Sequence, residues 1–503
     1  SPSSAQYGHN SMGGVINLIT GYDGSDQATI LKLGGGRFST AETSIAHHLK
    51  KGNWVFGLNG KARISEGHRF NADDQLGRIR SFLKYADRKG RTYRLSHILS
   101  QSDIGHPGFA STPSWRRSER TSHYLQGHGF YPISEGLSMS HSLFLNKFDT
   151  RYYDKDSVPE TKKEGERIYD DVALGLRTEM LITRWERWIV MLGSDVDWSQ
   201  SDVTVFNPIY ESPAQLSFGS FIQSKYSIGN GWSLGSGLRY DYREADPGNG
   251  YSVREYTNWS PKVNLMYNMK GQRAITVAYS EGFRAPSLSE LYLKHTSSYG
   301  LTMQGNPNIL PERVRAVEFS YDHPHSESWH WRIATFYNQY ENMIDFVYGL
   351  PVKAVNREGI TGKGLEYQFN WLPTESISFS GQYEFLDMED RSGEPILYRS
   401  KHKGQFSISF KSNLADIRFS TRIWSDQQYD DFLSHNYTVV GDKIIFPIET
   451  LPAQAIPEII LSKQIKSYKA SLKIANLLDS EYALIQDYPM PGRTWHATLT
   501  KSL

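Results

Sequence analysis

Cysteine is absent from all 503 residues. That excludes disulfides and thiolate metal sites, and it suits a chain that matures in an oxidising envelope compartment. Long apolar runs are missing too. Nothing approaches the roughly 18 consecutive apolar residues that a membrane helix requires, and the mean hydropathy is −0.53. Charge of one sign is also lacking: 55 Lys and Arg against 54 Asp and Glu leave a net charge of +1, which points to no nucleic-acid partner. Catalytic signatures are wanting as well. The glycine runs Gly34-Gly35-Gly36 and Gly8 to Gly14 lack the strand–loop–helix context and the Lys-Ser/Thr of a phosphate loop. No Gly-x-Ser-x-Gly elbow stands with suitable partners, and the expectation is a protein that is not an enzyme.

Aromatic side chains, in contrast, are abundant for so hydrophilic a chain: 31 Tyr, 23 Phe and 12 Trp. A membrane β-barrel reconciles the two facts. Half of each strand meets lipid and half meets a polar lumen, with aromatic girdles at both interfaces. The period-two pattern agrees. Leu365, Tyr367, Phe369 and Trp371 alternate with Glu366, Gln368 and Asn370; Ile275, Val277 and Tyr279 alternate with Thr276, Ala278 and Ser280. About 22 such segments follow Gln27, a size at which plugged lumens are expected. Their connections have two beats. Short ones stand at Lys51-Gly52-Asn53, Gly229-Asn230-Gly231, Pro373-Thr374-Glu375 and Lys466-Ser467. Long ones are expected at Asp103–Arg120, Thr150–Tyr169, Gly282–Pro311, Ser425–Gln454 and Leu477–Arg493. Tight turns on one side and long loops on the other are what a transmembrane barrel requires, whereas a soluble domain seldom carries several loops this long.

Three stretches resemble TonB-dependent outer-membrane receptors. Tyr7-Gly8-His9-Asn10-Ser11-Met12-Gly13-Gly14-Val15-Ile16-Asn17 looks like the end of the family's plug domain. Gly282-Phe283-Arg284-Ala285-Pro286, with Asn306-Pro307-Asn308 and Pro311-Glu312-Arg313, resembles a barrel motif. Asn476-Leu477-Leu478-Asp479, continued by Tyr488-Pro489-Met490-Pro491-Gly492-Arg493 and the last strand, resembles the barrel's end. The resemblance implies an all-β transmembrane antiparallel barrel over residues 25–503, preceded by the C-terminal remnant of a plug over residues 1–24, with Gly13, Gly14 and Asn17 at the seam. It further implies the outer membrane of a Gram-negative bacterium and import energised by a TonB–ExbB–ExbD complex through an N-terminal box that this chain lacks. The final Leu503 departs from the family's usual terminal aromatic residue.

Cargo on this reading is a metal chelate: cobalamin, a ferric siderophore or haem. A passive porin or adhesin barrel is the alternative of another class, and a soluble β-sandwich a third. Outer-loop candidates for ligand contact are Trp115, Arg116, Arg117, Arg284, Tyr292, His295, Tyr299, Tyr488 and Arg493. Stacked indole and guanidinium groups suit an anionic or aromatic cargo. Arg284 reads first as a brace for its loop. His295 lies between the two motifs where haem receptors of the family carry a histidine, which resembles an iron ligand. The pairs Asp73-Asp74, Asp154/Asp156 and Asp430-Asp431 are candidate calcium positions or plain solvated turns.

Overall fold

The computed structural model describes residues 8, 11–16, 27–154, 166–296, 302–326, 328–434, 436–441 and 443–503. Asn17, Asp156 and Tyr299 lie outside them, as does the Asp154 side chain.

Twenty-two antiparallel strands form one sheet. It closes because the first strand, Gln27–Gly36, pairs both with its neighbour Thr40–Lys51 and with the last strand, Thr494–Ser502. Main-chain bonds in both directions between Thr29 and Leu503 finish the seam at 3.1 and 2.8 Å. Closure removes the edges that an open sheet of this size would leave unpaired.

The alternation predicted from sequence runs round the barrel, with register shifts only beside the turns. Leu365, Tyr367, Phe369 and Trp371 pair with Phe385, Tyr383, Gly381 and Phe379. On the other side of the same strand, Tyr367 and Phe369 pair with Ile333 and Trp331. Paired residues share a face, so these apolar side chains form a band on the outer wall, while Glu366, Gln368 and Asn370 face inward. The final strand keeps Trp495, Ala497 and Leu499 outward beside Ile474, Leu472 and Ala470.

One end of the barrel carries short turns, such as Gly52-Asn53, Asn230-Gly231 and Lys466-Ser467. The αL conformations they need fall on Gly52, Asn230 and Lys466, with φ between 51° and 58°. Just inside these turns a belt of ring contacts follows the rim. Trp54 meets Tyr85, Tyr85 meets Tyr93 and Tyr93 meets Tyr131. Further round, Trp188 meets Tyr226, Trp232 meets Tyr267, and Trp371 meets Trp329 and Phe379. Amphipathic rings at this level mark a membrane–water interface.

The other end carries the longer connections, but one expected loop is mostly strand. Asp103–Arg120 is a ribbon: Thr92–Gly108 and Pro113–Ser134 pair almost to their tips and leave residues 109–112 as the turn. Polar residues occupy both of its faces because it projects past the apolar band, so no amphipathic period marked it as strand. Similarly, Ala274–Arg284 and Glu312–Ser326 run past the predicted strand ends. The connection between them holds a short helix, Leu288–Tyr292, and a hairpin of Lys294–Thr296 with Thr302–Gln304. That helix starts at a capping box in which Ser287 and Glu290 bond each other's backbone. The lumen holds no central apolar core among the described residues. The buried apolar cluster instead lies beneath this helix: Phe206, Ala245, Leu288, Leu291 and Tyr292.

Candidate functional site

Five outer connections meet over the mouth. Phe109, at the tip of the ribbon, contacts Tyr488 and Phe432, each with ring centroids 5.3 Å apart. Phe432 also stacks on Tyr348 at 6.2 Å, and Tyr348 meets Phe446 edge-on at 5.2 Å. The Arg69 guanidinium sits 5.4 Å from the Tyr488 ring. Phe109 lies between the fifth and sixth barrel strands, whereas Tyr348 lies between the fifteenth and sixteenth, nearly opposite. The connection 425–453, which carries Phe432 and Phe446, therefore bridges the opening. Such an aromatic roof with one cation can stack a planar or apolar ligand face.

The nine residues selected from sequence fare differently. Tyr488 belongs to the roof. Arg116 faces the lumen, but Trp115 and Arg117 alternate onto the outer surface. There Trp115 packs edge-on against Phe70 at 4.3 Å. Arg117 is buried and fully engaged, donating to both oxygens of Asp73 at 2.9 Å and to Asp103 at 2.7 Å. It braces the ribbon instead of presenting a charge. Arg284 is likewise a brace: its Nε donates to Glu312 at 2.5 Å and its Nη atoms to Glu290 at 2.9 and 3.0 Å. Glu290 thereby ties the strand end to the helix. Burial opposes its charge, but the bonds from Arg284 and Ser287 hold its pKa below the usual value.

Tyr292 is 2% exposed, lies 4.7 Å from the Tyr210 ring, and has a phenol pushed upward by burial. Arg493 is spent on its own connection, donating to the Leu477 carbonyl at 3.0 Å. His295 sits in the hairpin opposite Met303. Burial, with Arg167 and Arg116 nearby, lowers its pKa, so its imidazole is neutral at pH 7. Among the acidic pairs, Asp73 is held by Arg117 and Asp74 by Arg63. No group of three or more potential metal ligands occurs among the described residues.

Sequence reasoning passed over the centre of the inner wall. Arg239, 1% exposed, donates through Nε to Asp241 at 2.8 Å and through both Nη atoms to Asp195 at 2.7 Å. Its guanidinium lies between two glycines. A Cβ on Gly219 would fall 1.8 Å from Nη2, and one on Gly8 would fall 2.7 Å from it. The N-terminal segment thus packs directly on the barrel's buried ion cluster, where any larger side chain would collide. One row nearer the mouth, Arg243 donates to Gln215, whose amide donates to the Pro286 carbonyl at 3.2 Å. Gln215 thereby ties Arg243 to the foot of the outer helix. The glycine at position 8 was visible in the sequence, but its partner lies more than two hundred residues away.

The closed barrel with a segment packed inside matches known proteins. Residues 33–456 match the family model described as TonB dependent receptor-like, beta-barrel. The chain belongs to the TonB-dependent receptor family. This family is one of transporters and receptors, not enzymes. The receptor is 22% identical to the vitamin B12 transporter BtuB of Photobacterium profundum, over 99% of this chain and 77% of that protein. Among solved structures it resembles the siderophore receptor PirA of Acinetobacter baumannii, with a TM-score of 0.79 and 14% identity over all of this chain and 84% of that one. The ferric enterobactin receptor PfeA of Pseudomonas aeruginosa gives a TM-score of 0.80 at 15% identity, with the same coverage. At such identities the two structural likenesses concern the fold of the receptor.

Proposed function

We propose that this receptor sits in the outer membrane of a Gram-negative bacterium and imports a scarce metal chelate, cobalamin or a ferric siderophore, at the expense of energy from a TonB–ExbB–ExbD complex. The observation that carries this reading is the pairing of a roofed mouth with an inner wall covered from within. Five connections converge on Phe432 and its neighbours, while Gly8 packs on Arg239. A passive porin needs neither feature. In this reading residues 1–24 end a plug domain and 25–503 form the barrel, and the short-turn end faces the periplasm. The similarity to vitamin B12 transporters and to siderophore receptors supports a chelate as cargo.

A haem cargo is the second reading, favoured by the neutral imidazole of His295 near the mouth, a natural iron ligand. Tryptophan-quenching titration of the full-length receptor with cyanocobalamin, haemin and a ferric siderophore panel, with and without calcium, separates these cargoes. Tight binding of one chelate supports import. Haemin binding with a Soret shift lost in His295→Ala supports the second reading. Silence across the panel would defeat both.

A further inference from the structure

We infer that the short-turn rim on either side of the barrel's seam is a docking surface for anionic phospholipid headgroups. The inference rests on the membrane placement proposed above and is independent of the cargo. Six consecutive strands meet around the seam: Gln454–Ile465, Tyr468–Ala475, Thr494–Ser502, Gln27–Gly36, Thr40–Lys51 and Trp54–Ser65. With the short turns between them, they contain only two acidic residues, Glu42 and Glu458. Both stand toward the mouth, and both are spent on lysines: Glu42 on Lys32 at 2.6 Å and Lys61 at 3.7 Å, Glu458 on Lys473 at 2.9 Å. The rim below them is left with cations alone.

Three of those cations face outward among the belt of rings. Lys51 stands directly opposite Trp54, and Lys501 directly opposite Tyr468. Lys463 stands opposite Ala470, which shares a face with Tyr468. Lys466 lies in the turn between their strands, and Lys469 follows it, exposed on the inward face. Among the described residues no carboxylate pairs with any of these five lysines. The Lys501 ammonium lies 5.3 Å from the Tyr468 ring centroid, and Lys463 donates to the Asn413 carbonyl. Neither contact cancels a charge. Lys51 and Lys463 are four strands apart, so the lysines spread over roughly 20 Å of rim.

Apolar side chains are interleaved with them. Leu414, Ile465, Tyr468 and Trp54 are all exposed on the same stretch. Rings and aliphatic chains at this level enter the boundary between acyl chains and headgroups, while a lysine lays its stem along them and carries its ammonium to the headgroup layer. An anionic headgroup there gains from each nearby lysine. A zwitterionic one gains far less. The short turns elsewhere on the rim differ, because they carry Glu135, Glu186 and Glu375. With a whole-chain charge of +1, the rim at the seam is a segregation of charge and not a share of a general excess.

The test places the full-length receptor in bilayers and measures the motionally restricted fraction of spin-labelled phosphatidylglycerol and phosphatidylcholine. Its variants are Lys51→Gln/Lys463→Gln/Lys501→Gln and the charge-keeping Lys51→Arg/Lys463→Arg/Lys501→Arg. Arg184→Gln/Arg187→Gln, beside Glu186, is the control elsewhere on the rim. Heat-modifiable gel migration shows that each is folded. Wild type is expected to prefer phosphatidylglycerol roughly fivefold at low salt, and less at high salt. The glutamine triple should fall to near parity, whereas the arginine triple and the control keep the preference. No preference in wild type, its survival in the glutamine triple, or its loss in the arginine triple would overturn the inference and leave import untouched. Lysine-dependent binding of soluble polyglutamate without any lipid preference would overturn it in favour of an acidic soluble partner. No restricted lipid of either kind would defeat the membrane placement itself.

Discussion

The two halves of the inner wall hold their charges at different depths. Around Arg239 the charges are paired and shielded: Asp195 and Asp241 take the guanidinium, Gly8 packs against it, and Ser260 and Ser280 beside them are at most 1% exposed. Around Arg78 the charges are more open: Lys61 lies 3.7 Å from Glu42, Arg63 bonds Asp74, and Arg78 is exposed. Burial makes a charge expensive unless it is paired, so the first half can only be structural. The second half keeps its charges near solvent, where pairing is worth little. The sequence alone does not distinguish these halves, since both read as strands with charged residues on one face. Register and the covering segment separate them.

The sharpest way to break the comparison is to unpair the covered half. Arg239→Leu strands two carboxylates, and one oxygen of Asp241 already lacks a partner among the described residues. A loss of about 3–5 kcal/mol is expected, read as a lower unfolding midpoint in detergent. If Arg239→Leu is as stable as wild type, this half is not the structural one. Next in size is the contrast between the wall's two faces. Phe369→Arg points a cation at lipid and should cost roughly 2–4 kcal/mol near mid-bilayer, whereas Glu366→Leu on the lumen face should be mild. Equal effects in a folding titration would invert the facing. Smaller in energy is the Arg78→Glu/Arg120→Glu double variant, which should leave stability within about 0.5 kcal/mol of wild type because both side chains are exposed. The same pair of substitutions placed in the covered half would do the reverse.

The smallest effect concerns pH. Because His295 has a folded pKa below its ordinary value, the unfolded chain takes up its proton first, and the stability that the neutral ring contributes is lost as pH falls through that range. Amide protection in the Lys294–Thr296 hairpin, measured relative to the intrinsic exchange rate at each pH, should therefore fall on acidification, and His295→Ala should remove that acid sensitivity. Identical profiles in both proteins would mean that the histidine does not sense its arginines.

Most of the fold was legible because a barrel in lipid has two solvents, and each strand must write both into alternate residues. Hence Leu365 to Trp371, Ala274 to Ser280 and the last strand were placed and faced from sequence. The ribbon around residues 103–120 reads as a loop in sequence because water lies on both of its faces and nothing enforces alternation. The outer helix carried its own signal, Ser287 three residues before Glu290, but it is too short for a hydrophobic period. The candidate site was less legible. Trp115-Arg116-Arg117 is one patch in sequence, yet alternate residues of a strand point apart, so it divides into a packed ring, a lumen cation and a buried brace. Roof and ion cluster assemble from residues far apart in the chain, which only closure of the barrel brings together.

The most direct measurement is a tryptophan-quenching titration of the full-length receptor with cyanocobalamin, haemin and a ferric siderophore panel. Tight, saturable binding of one chelate is the predicted result. Silence across the whole panel would contradict it.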